Sequence, residues 1–326
     1  MTSDAREHTS VRVLPDILPG VQIAFLGLGL IGGSVARAAL TSGFATRAVA
    51  WTPDGLGPRA AIADGVAVAA SPDGAVRGAD LVVLAAPPLA CLELVDLLGG
   101  RLRPALAADA VVTDVASTKG AIVERAQAAG IRFVGGHPLA GRETSGYGAA
   151  DPDLFLDRPW VIVPAEPRDA AADERVAALA TACGARPVRM SAAAHDAAVA
   201  AISHLPLVLS VALVEAMAAE PDWPAARDLA AGGWAGMTRL AHSDATMGAG
   251  ILATNGPAVA ARLRALRAVL DDWLVALADG GADADALRLR LEAARGLVGA
   301  PADPARPADP ARPADQRRPA DPEPPR

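Results

Sequence analysis

The sequence predicts an α/β fold, a doubly wound parallel sheet over residues 21–190, followed by an all-helical domain over 191–298. Three observations predict it. Short apolar runs alternate with helix-forming segments through the first half. Strand signals stop near residue 190. A glycine loop, Gly27-Leu28-Gly29-Leu30-Ile31-Gly32, lies between the first apolar run and the first helical segment.

The apolar runs VQIAFLG, RAVAW, ADLVVLAAP, AVVTDVA, IRFVGG and PWVIVP are short and nearly continuous. Runs of this kind suit parallel strands covered on both faces. Segments 34–42 and 118–129 between them have helix composition. Beyond 190, SAAAHDAAVAAISHLPLVLSVALVEAMAA reads as one or two long helices, with Pro206 a kink or break. PAVAARLRALRAVLDDWLVALAD and ADALRLRLEAARGLV read as two more. Helices apolar on more than one face pack against further protein, so this half is expected to be a dimerisation domain in a homodimer. Residues 1–20 are expected to be a flexible arm. Residues 299–326 repeat PADPAR with small changes and are expected to be a disordered Pro-rich tail.

Composition narrows the function. Hydrophobic residues are 52% of the 326 and aromatics only 3%, so Ala, Val, Leu and Ile must build the core. A net charge of −7 argues against nucleic acid or an anionic membrane as partner. Cys91 and Cys183 stand far apart, in no metal or redox spacing, which suits two small buried residues in a reducing cytoplasm. The first twenty residues carry five charges and no apolar run of signal length, and the apolar stretch Leu205–Val214 is too short to span a bilayer. A cytoplasmic protein with a small-molecule ligand and no metal is expected. Among all basic residues, Lys119 is the only lysine.

The glycine loop carries the first chemical signal. GxGxxG alone is common in a chain with 31 glycines. Here it follows a strand and opens a helix, the arrangement of a Rossmann-like dinucleotide site. Gly27 would permit the tight turn, Gly29 would admit a pyrophosphate, and Gly32 would let helix and strand pack closely. The amides of Leu30 and Ile31 at the helix start would face the phosphates. The next strand, RAVAWTPDG, puts Thr52 where a ribose-binding carboxylate is expected, with Asp54 two residues on. An absent carboxylate and a nearby Arg59 would suit NADP. A carboxylate supplied by Asp54 would suit NAD. The sequence leaves both open.

The second signal is a set of polar stretches. DVASTKG (114–120) and HPLAGRETSG (137–146) each follow a strand. In open α/β sheets ligands bind beyond the carboxyl ends of strands, which places Ser117, His137 and Glu143 near a nicotinamide. GGWAGMTRLAHSD (232–244) in the helical half offers Arg239. Each has an ordinary explanation too. His137 could be a loop histidine satisfied by backbone groups, Ser117 could cap the helix starting near Lys119, and Arg239 could form a structural ion pair. His204 could be a core histidine on a long helix. His195 and His242 read as ordinary polar positions.

With these stretches in view, the sequence resembles the prephenate/arogenate dehydrogenase family. The resemblance covers roughly residues 21–298 and rests on GLGLIGGS, DVASTKG, GGHPLAGRETSG, SHLP and MTRLAHSD, in that order. It implies a dinucleotide-binding domain followed by a helical dimerisation domain. It also implies oxidative decarboxylation of a cyclohexadienyl acid, with hydride transfer to NAD or NADP. By the same resemblance His137 would polarise or deprotonate the ring hydroxyl, with Ser117 beside the same oxygen. Arg239 would bind a substrate carboxylate, Glu143 would order the pocket, and His204 would belong to the substrate site.

Two positions depart from the pattern. Many prephenate users carry a second histidine three residues after the first, where this chain has Leu207. An aromatic residue often follows the SD pair, where this chain has Gly248. Members with an apolar residue at the Leu207 position include arogenate users, so arogenate is an expected substrate, alone or beside prephenate. Two rivals remain for comparison. A β-hydroxyacid dehydrogenase would need a catalytic lysine in the helical half, and none follows Lys119. A non-catalytic dinucleotide sensor would need the glycine loop but not Ser117, His137 and Arg239 together.

Overall fold

The computed structural model describes residues 20–142, 144–278 and 283–298. The arm at 1–20, Gly20 aside, and the tail at 299–326 lie outside the described residues, as does Glu143. The described chain divides into two compact units. One comprises 20–140 and 144–192, the other Gly141, Arg142 and the residues from 193 onward.

The first unit is an eight-stranded sheet with helices between the strands. In chain order it runs β1 (Val21–Leu26), α1 (Leu30–Thr41), β2 (Ala45–Trp51), α2 (Leu56–Ala60), β3 (Val66–Val68), α3 (Pro72–Val76) and β4 (Leu81–Leu84). It continues with α4 (Pro88–Gly99), β5 (Val111–Asp114), α5 (Gly120–Ala128), β6 (Phe133–Pro138), β7 (Pro159–Val163), α6 (Ala170–Ala182) and β8 (Arg186–Arg189). The sheet order is β3-β2-β1-β4-β5-β6-β7-β8. Strand order reverses between β1 and β4, which opens a crevice beyond their carboxyl ends.

The apolar runs behave as doubly buried strands must. Successive side chains go to opposite faces. Ile23, Phe25, Leu81, Val83 and Val111 enter one core, while Ala24, Leu26, Val82, Leu84 and Val112 enter the other. All of these are at most 1% exposed. Both cysteines are buried, as the composition suggested.

The sheet is not parallel throughout. β7 runs antiparallel to β6, with Gly135 opposite Val163 and Pro138 opposite Trp160. A parallel return needs a crossover of a dozen or more residues, usually helical. Residues 139–158 supply only a 3₁₀ turn at Tyr147–Ala149 among the described residues, so the chain doubles back instead. A true crossover helix, α6, then makes β8 parallel to β7.

The second unit is helical: α7 (Ala192–Val199), α8 (Leu205–Ala218), α9 (Trp223–Asp228), α10 (Gly232–Thr238), α11 (Ala245–Leu277) and α12 (Ala284–Val298). Pro206 does not break the helix. A π-helical turn over Ala200–His204 joins α7 to α8, and the helical path runs on through Pro206. The resulting run, Ala192–Ala218, is long and apolar enough by length and composition to cross a membrane, which Leu205–Val214 alone is not. In α11 the helical path is interrupted at Asn255 (φ −130°, ψ 21°), two residues before Pro257.

Because the sheet is the core of the first unit, Phe25→Ala should destabilise that unit by about 3–5 kcal/mol, read from a shift in urea midpoint at constant slope.

Candidate active site

The three loop glycines meet three different environments. Gly27 has φ 98°, and a Cβ there would lie 2.3 Å from the Ala85 carbonyl oxygen, so neither backbone nor space admits a side chain. A Cβ on Gly29 would meet nothing within 4 Å. On Gly32 it would strike the Ala85 side chain at 2.7 Å, which makes that glycine the close contact between α1 and the segment after β4. Gly29 is the N-cap of α1 and contributes no side-chain hydrogen bond, so the cap leaves the first amides of the helix to other acceptors.

A cavity of about 780 Å³ opens over this loop, walled by Gly27, Gly29, Thr52, Asp54, Ala86 and Tyr147 among others. Its size suits a cofactor-sized ligand. Thr52 donates through Oγ1 to Asp54 Oδ1 at 2.9 Å, and the Leu56 N–H donates to the same oxygen at 3.0 Å. These two bonds, the Leu56 amide first, hold the Asp54 carboxyl below its ordinary pKa. Arg59 donates to the Asp54 backbone carbonyl and is not part of the cavity wall.

Tyr147, the only tyrosine, was not singled out in the sequence. Its hydroxyl donates to Asp64 Oδ2 at 2.6 Å and accepts from Arg37 Nε at 3.2 Å. The Arg37 guanidinium also stands 4.6 Å from its ring centroid. Burial, then the Asp64 bond, pushes the phenol up to about 12. The ring packs on Gly33 of α1 and pins residues 146–148 beside the glycine loop. A lone tyrosine in an SGYG turn was the available signal.

His137 is half-buried on β6, opposite Val161. Ser117 is half-buried in the segment after β5. Both therefore stand at carboxyl ends of neighbouring strands. Ser117 does not cap α5, which begins at Gly120 with Lys119 in the N-cap position and no side-chain cap bond. Between the two lies Asp114, wholly buried. Its Oδ1 accepts from the Gly136 N–H at 3.0 Å, and its Oδ2 accepts from the Ala116 N–H at 3.1 Å and from Lys119 Nζ.

In the helical unit, Arg239 opens a 3₁₀ turn after α10 and is exposed. His204 ends the π turn and is 1% exposed. Asn255 Nδ2 donates to the Asp196 backbone carbonyl at 2.9 Å and faces His204 Nδ1 at 3.1 Å. A carbonyl can only accept, so this bond fixes which end of the amide faces the ring. His204 Nδ1 must then be the acceptor, and the proton resides on Nε2. That nitrogen is buried and has no hydrogen-bond partner among the described residues. Burial, against an opposing pull from Asp196 and with help from His195, lowers the imidazole to about 4. His195 is not the ordinary polar position expected of it. It is 1% exposed and bonded through Nδ1 to Asp196 at 2.8 Å. Among the described residues no group of three or more His, Cys, Asp or Glu is placed to hold a metal ion.

Two family models match the chain. The prephenate dehydrogenase nucleotide-binding domain matches residues 35–189, and the prephenate dehydrogenase dimerization domain matches residues 191–290. Prephenate dehydrogenase of Bacillus subtilis is 31% identical over 258 residues, 77% of this chain and 67% of that one. The chain belongs to the prephenate dehydrogenase family. Among solved structures, Synechocystis arogenate dehydrogenase is similar with a TM-score of 0.71 at 29% identity, over 85% of this chain and 99% of that chain. Aquifex aeolicus prephenate dehydrogenase, solved with hydroxyphenyl propionate and NAD+, is similar with a TM-score of 0.76 at 25% identity, over 86% and 98%.

Two predictions follow from this geometry. Gly27→Ala should abolish saturable dinucleotide binding, read by quenching of intrinsic fluorescence, and lower stability by roughly 1–3 kcal/mol. His204 should appear in ¹⁵N NMR as the neutral Nε2–H form and titrate near 4. A histidine pKa below its unfolded value favours folding above about 6.5, so this contribution should be lost as pH falls from there through 4.

Proposed function

We propose that this enzyme oxidises and decarboxylates a cyclohexadienyl acid, prephenate or arogenate, with hydride transfer to a nicotinamide dinucleotide. Family membership supports the reaction class. The observation that supports its assignment to particular residues is the position of Ser117 just after β5 and of His137 near the end of its neighbour β6, in the same sheet whose β1 end bears the glycine loop. The dinucleotide supplies the hydride acceptor when bound. Gly29 with the Leu30 and Ile31 amides would face its phosphates, Gly27 and Gly32 would shape the turn that presents them, and Thr52 would meet its adenosine end.

His137 takes the proton of the ring hydroxyl as the hydride leaves the carbinol carbon, and Ser117 hydrogen-bonds the same oxygen. Loss of the ring carboxylate as carbon dioxide then aromatises the ring, and the proton returns from His137 to the phenol oxygen. Aromatisation drives the second step, so the protein's main task is orientation. Arg239 binds a substrate carboxylate, for which a planar guanidinium is well shaped. Glu143 would order the pocket, and His204, being buried, would support the substrate site rather than line it. In this reading residues 21–190 hold the dinucleotide and 191–298 the acid and the dimer contact.

Asp54 favours NAD. Its carboxylate lines the cavity and is held ionised, whereas Arg59 is turned to a backbone carbonyl. A fixed negative charge there accepts bonds from ribose hydroxyls and repels a 2′-phosphate. Leu207 and Gly248 support arogenate. The two positions that depart from the prephenate pattern are neighbours: a Cβ on Gly248 would lie 3.6 Å from Leu207 Cδ2. Neither offers an imidazole or an aromatic ring. The apolar Ala192–Ala218 run fits a face covered by a second copy in a cytoplasmic homodimer, in keeping with the dimerization-domain match.

A two-by-two assay of prephenate or arogenate with NAD+ or NADP+ tests the reading. Arogenate with NAD+ should give the highest kcat/KM, and Asp54→Ala should cut the preference for NAD+ at least about tenfold, a loss equivalent to one ribose contact. Efficient turnover of prephenate with none of arogenate would sink the substrate assignment. A folded protein that binds dinucleotide but turns over neither acid would favour a sensor.

A further inference from the structure

The ladder between β5 and β6 stops before the strands do. Val112 pairs with Phe133 and Thr113 with Val134, and there the pairing ends. From Gly135 onward β6 keeps only β7 as a partner. On the β5 side the ladder of β6 ends at Val134. Asp114, the last residue of β5, closes the gap with its side chain. One oxygen takes the N–H of Gly136, immediately before His137. The other takes the N–H of Ala116, immediately before Ser117.

Lys119 completes the arrangement. Its ammonium reaches Asp114 Oδ2, and both side chains are 0% exposed. A buried ion pair yields little net stability, because desolvation offsets the attraction. Its presence is better explained by the geometry it imposes. The sequence around it agrees. This chain uses arginine at every basic position but this one. An ammonium is compact on a flexible stem, while a guanidinium is a wide planar fork. The lysine stem runs beside β6, where a Cβ on Gly135 would come within 3.2 Å of Lys119 Cδ. A Cβ on Gly136 would come within 2.5 Å of the Asp114 carbonyl oxygen. Gly135 thus leaves room for the lysine stem, and Gly136 lets β6 pass close to the backbone of Asp114.

We propose that Asp114 and Lys119 are positioning residues for the reaction: the carboxylate sets the backbone before His137 and before Ser117, and the lysine keeps that carboxylate in place. Both side chains are wholly buried, and neither lines the cavity over the glycine loop. The proposal rests on the functional reading of His137 and Ser117. Three donors face the carboxylate, which holds it as the anion although burial pushes its pKa up.

The test is the double variant Asp114→Asn with Lys119→Met, which removes both charges together and leaves neither stranded, alongside Lys119→Arg. In both, dinucleotide affinity should stay within about twofold, since the glycine loop is untouched. The kcat should fall about 10²-fold, the scale of an ångström-sized misplacement. In a His137→Asn background the double variant should cost almost nothing more, because the two act through one group. A folded double variant with kcat within threefold of wild type would overturn the proposal. If the double variant does not fold, Lys119→Arg decides by the same criterion, and failure of both to fold would assign the pair to folding alone. Should the wild type turn over neither acid, the functional reading fails by itself. The pair is then judged from the His137 ring signals in NMR: displaced or doubled in the variants if it positions the ring, unchanged if it does not.

Discussion

Every backbone amide and carbonyl inside a sheet covered on both faces must find a partner within the protein. This constraint organises the first unit. Along β1, β2, β4 and β5 the parallel ladder meets it, and the side chains can be almost wholly aliphatic. At the carboxyl ends the ladder runs out, and each end is finished differently. After β1 a glycine turn sends the chain into a helix whose first amides have no side-chain cap. After β5 a buried carboxylate takes the amides that the ladder leaves over. The polar groups of the site are where the sheet's own hydrogen bonding stops.

This arrangement suits a reaction that asks for placement more than for powerful acids or bases. Once the hydride has left, aromatisation carries the ring forward. A histidine on a strand paired to its neighbour, and a serine beside a carboxylate staple, are groups with little freedom to wander. Tyr147, Asp64 and Arg37 do similar work on the other side of the glycine loop, fixing a turn that walls the cavity. In the helical unit the same economy holds. The π turn at 200–204 and the interruption of α11 at Asn255 both depart from regular α-helix, and they meet in one hydrogen bond, which selects the proton position on His204. Irregular turns in helices are often found where a side chain has a specific task.

Much of this was legible in the sequence, and what was not has physical reasons. The long apolar strands and the glycine loop are encoded by local patterns that depend on near neighbours. Two strands were not seen. β3 has three residues, and β8 reads Arg-Pro-Val-Arg, an edge strand without an apolar run. The reversal of β7 was hidden because strand direction is set by what lies between strands, not by the strand's composition. Asp54 was visible as a residue, but only the turn that bonds its carboxylate to Thr52 and Leu56 shows that it joins the cavity wall. The role of Asp114 depends on an amide 22 residues away. Leu207 and Gly248 were noted one by one, and their contact is a property of the fold.

The proposed chemistry depends on His137 as the base for the ring hydroxyl. The most direct measurement is the pH dependence of kcat/KM for the wild type and for His137→Asn, with arogenate and NAD+ as substrates. The wild type should lose activity on the acid side as one essential base is protonated. In His137→Asn that limb should vanish and the plateau should drop about 10²–10⁴-fold. A variant that keeps both the limb and the plateau would contradict the account, and the base would have to be sought elsewhere in the chain.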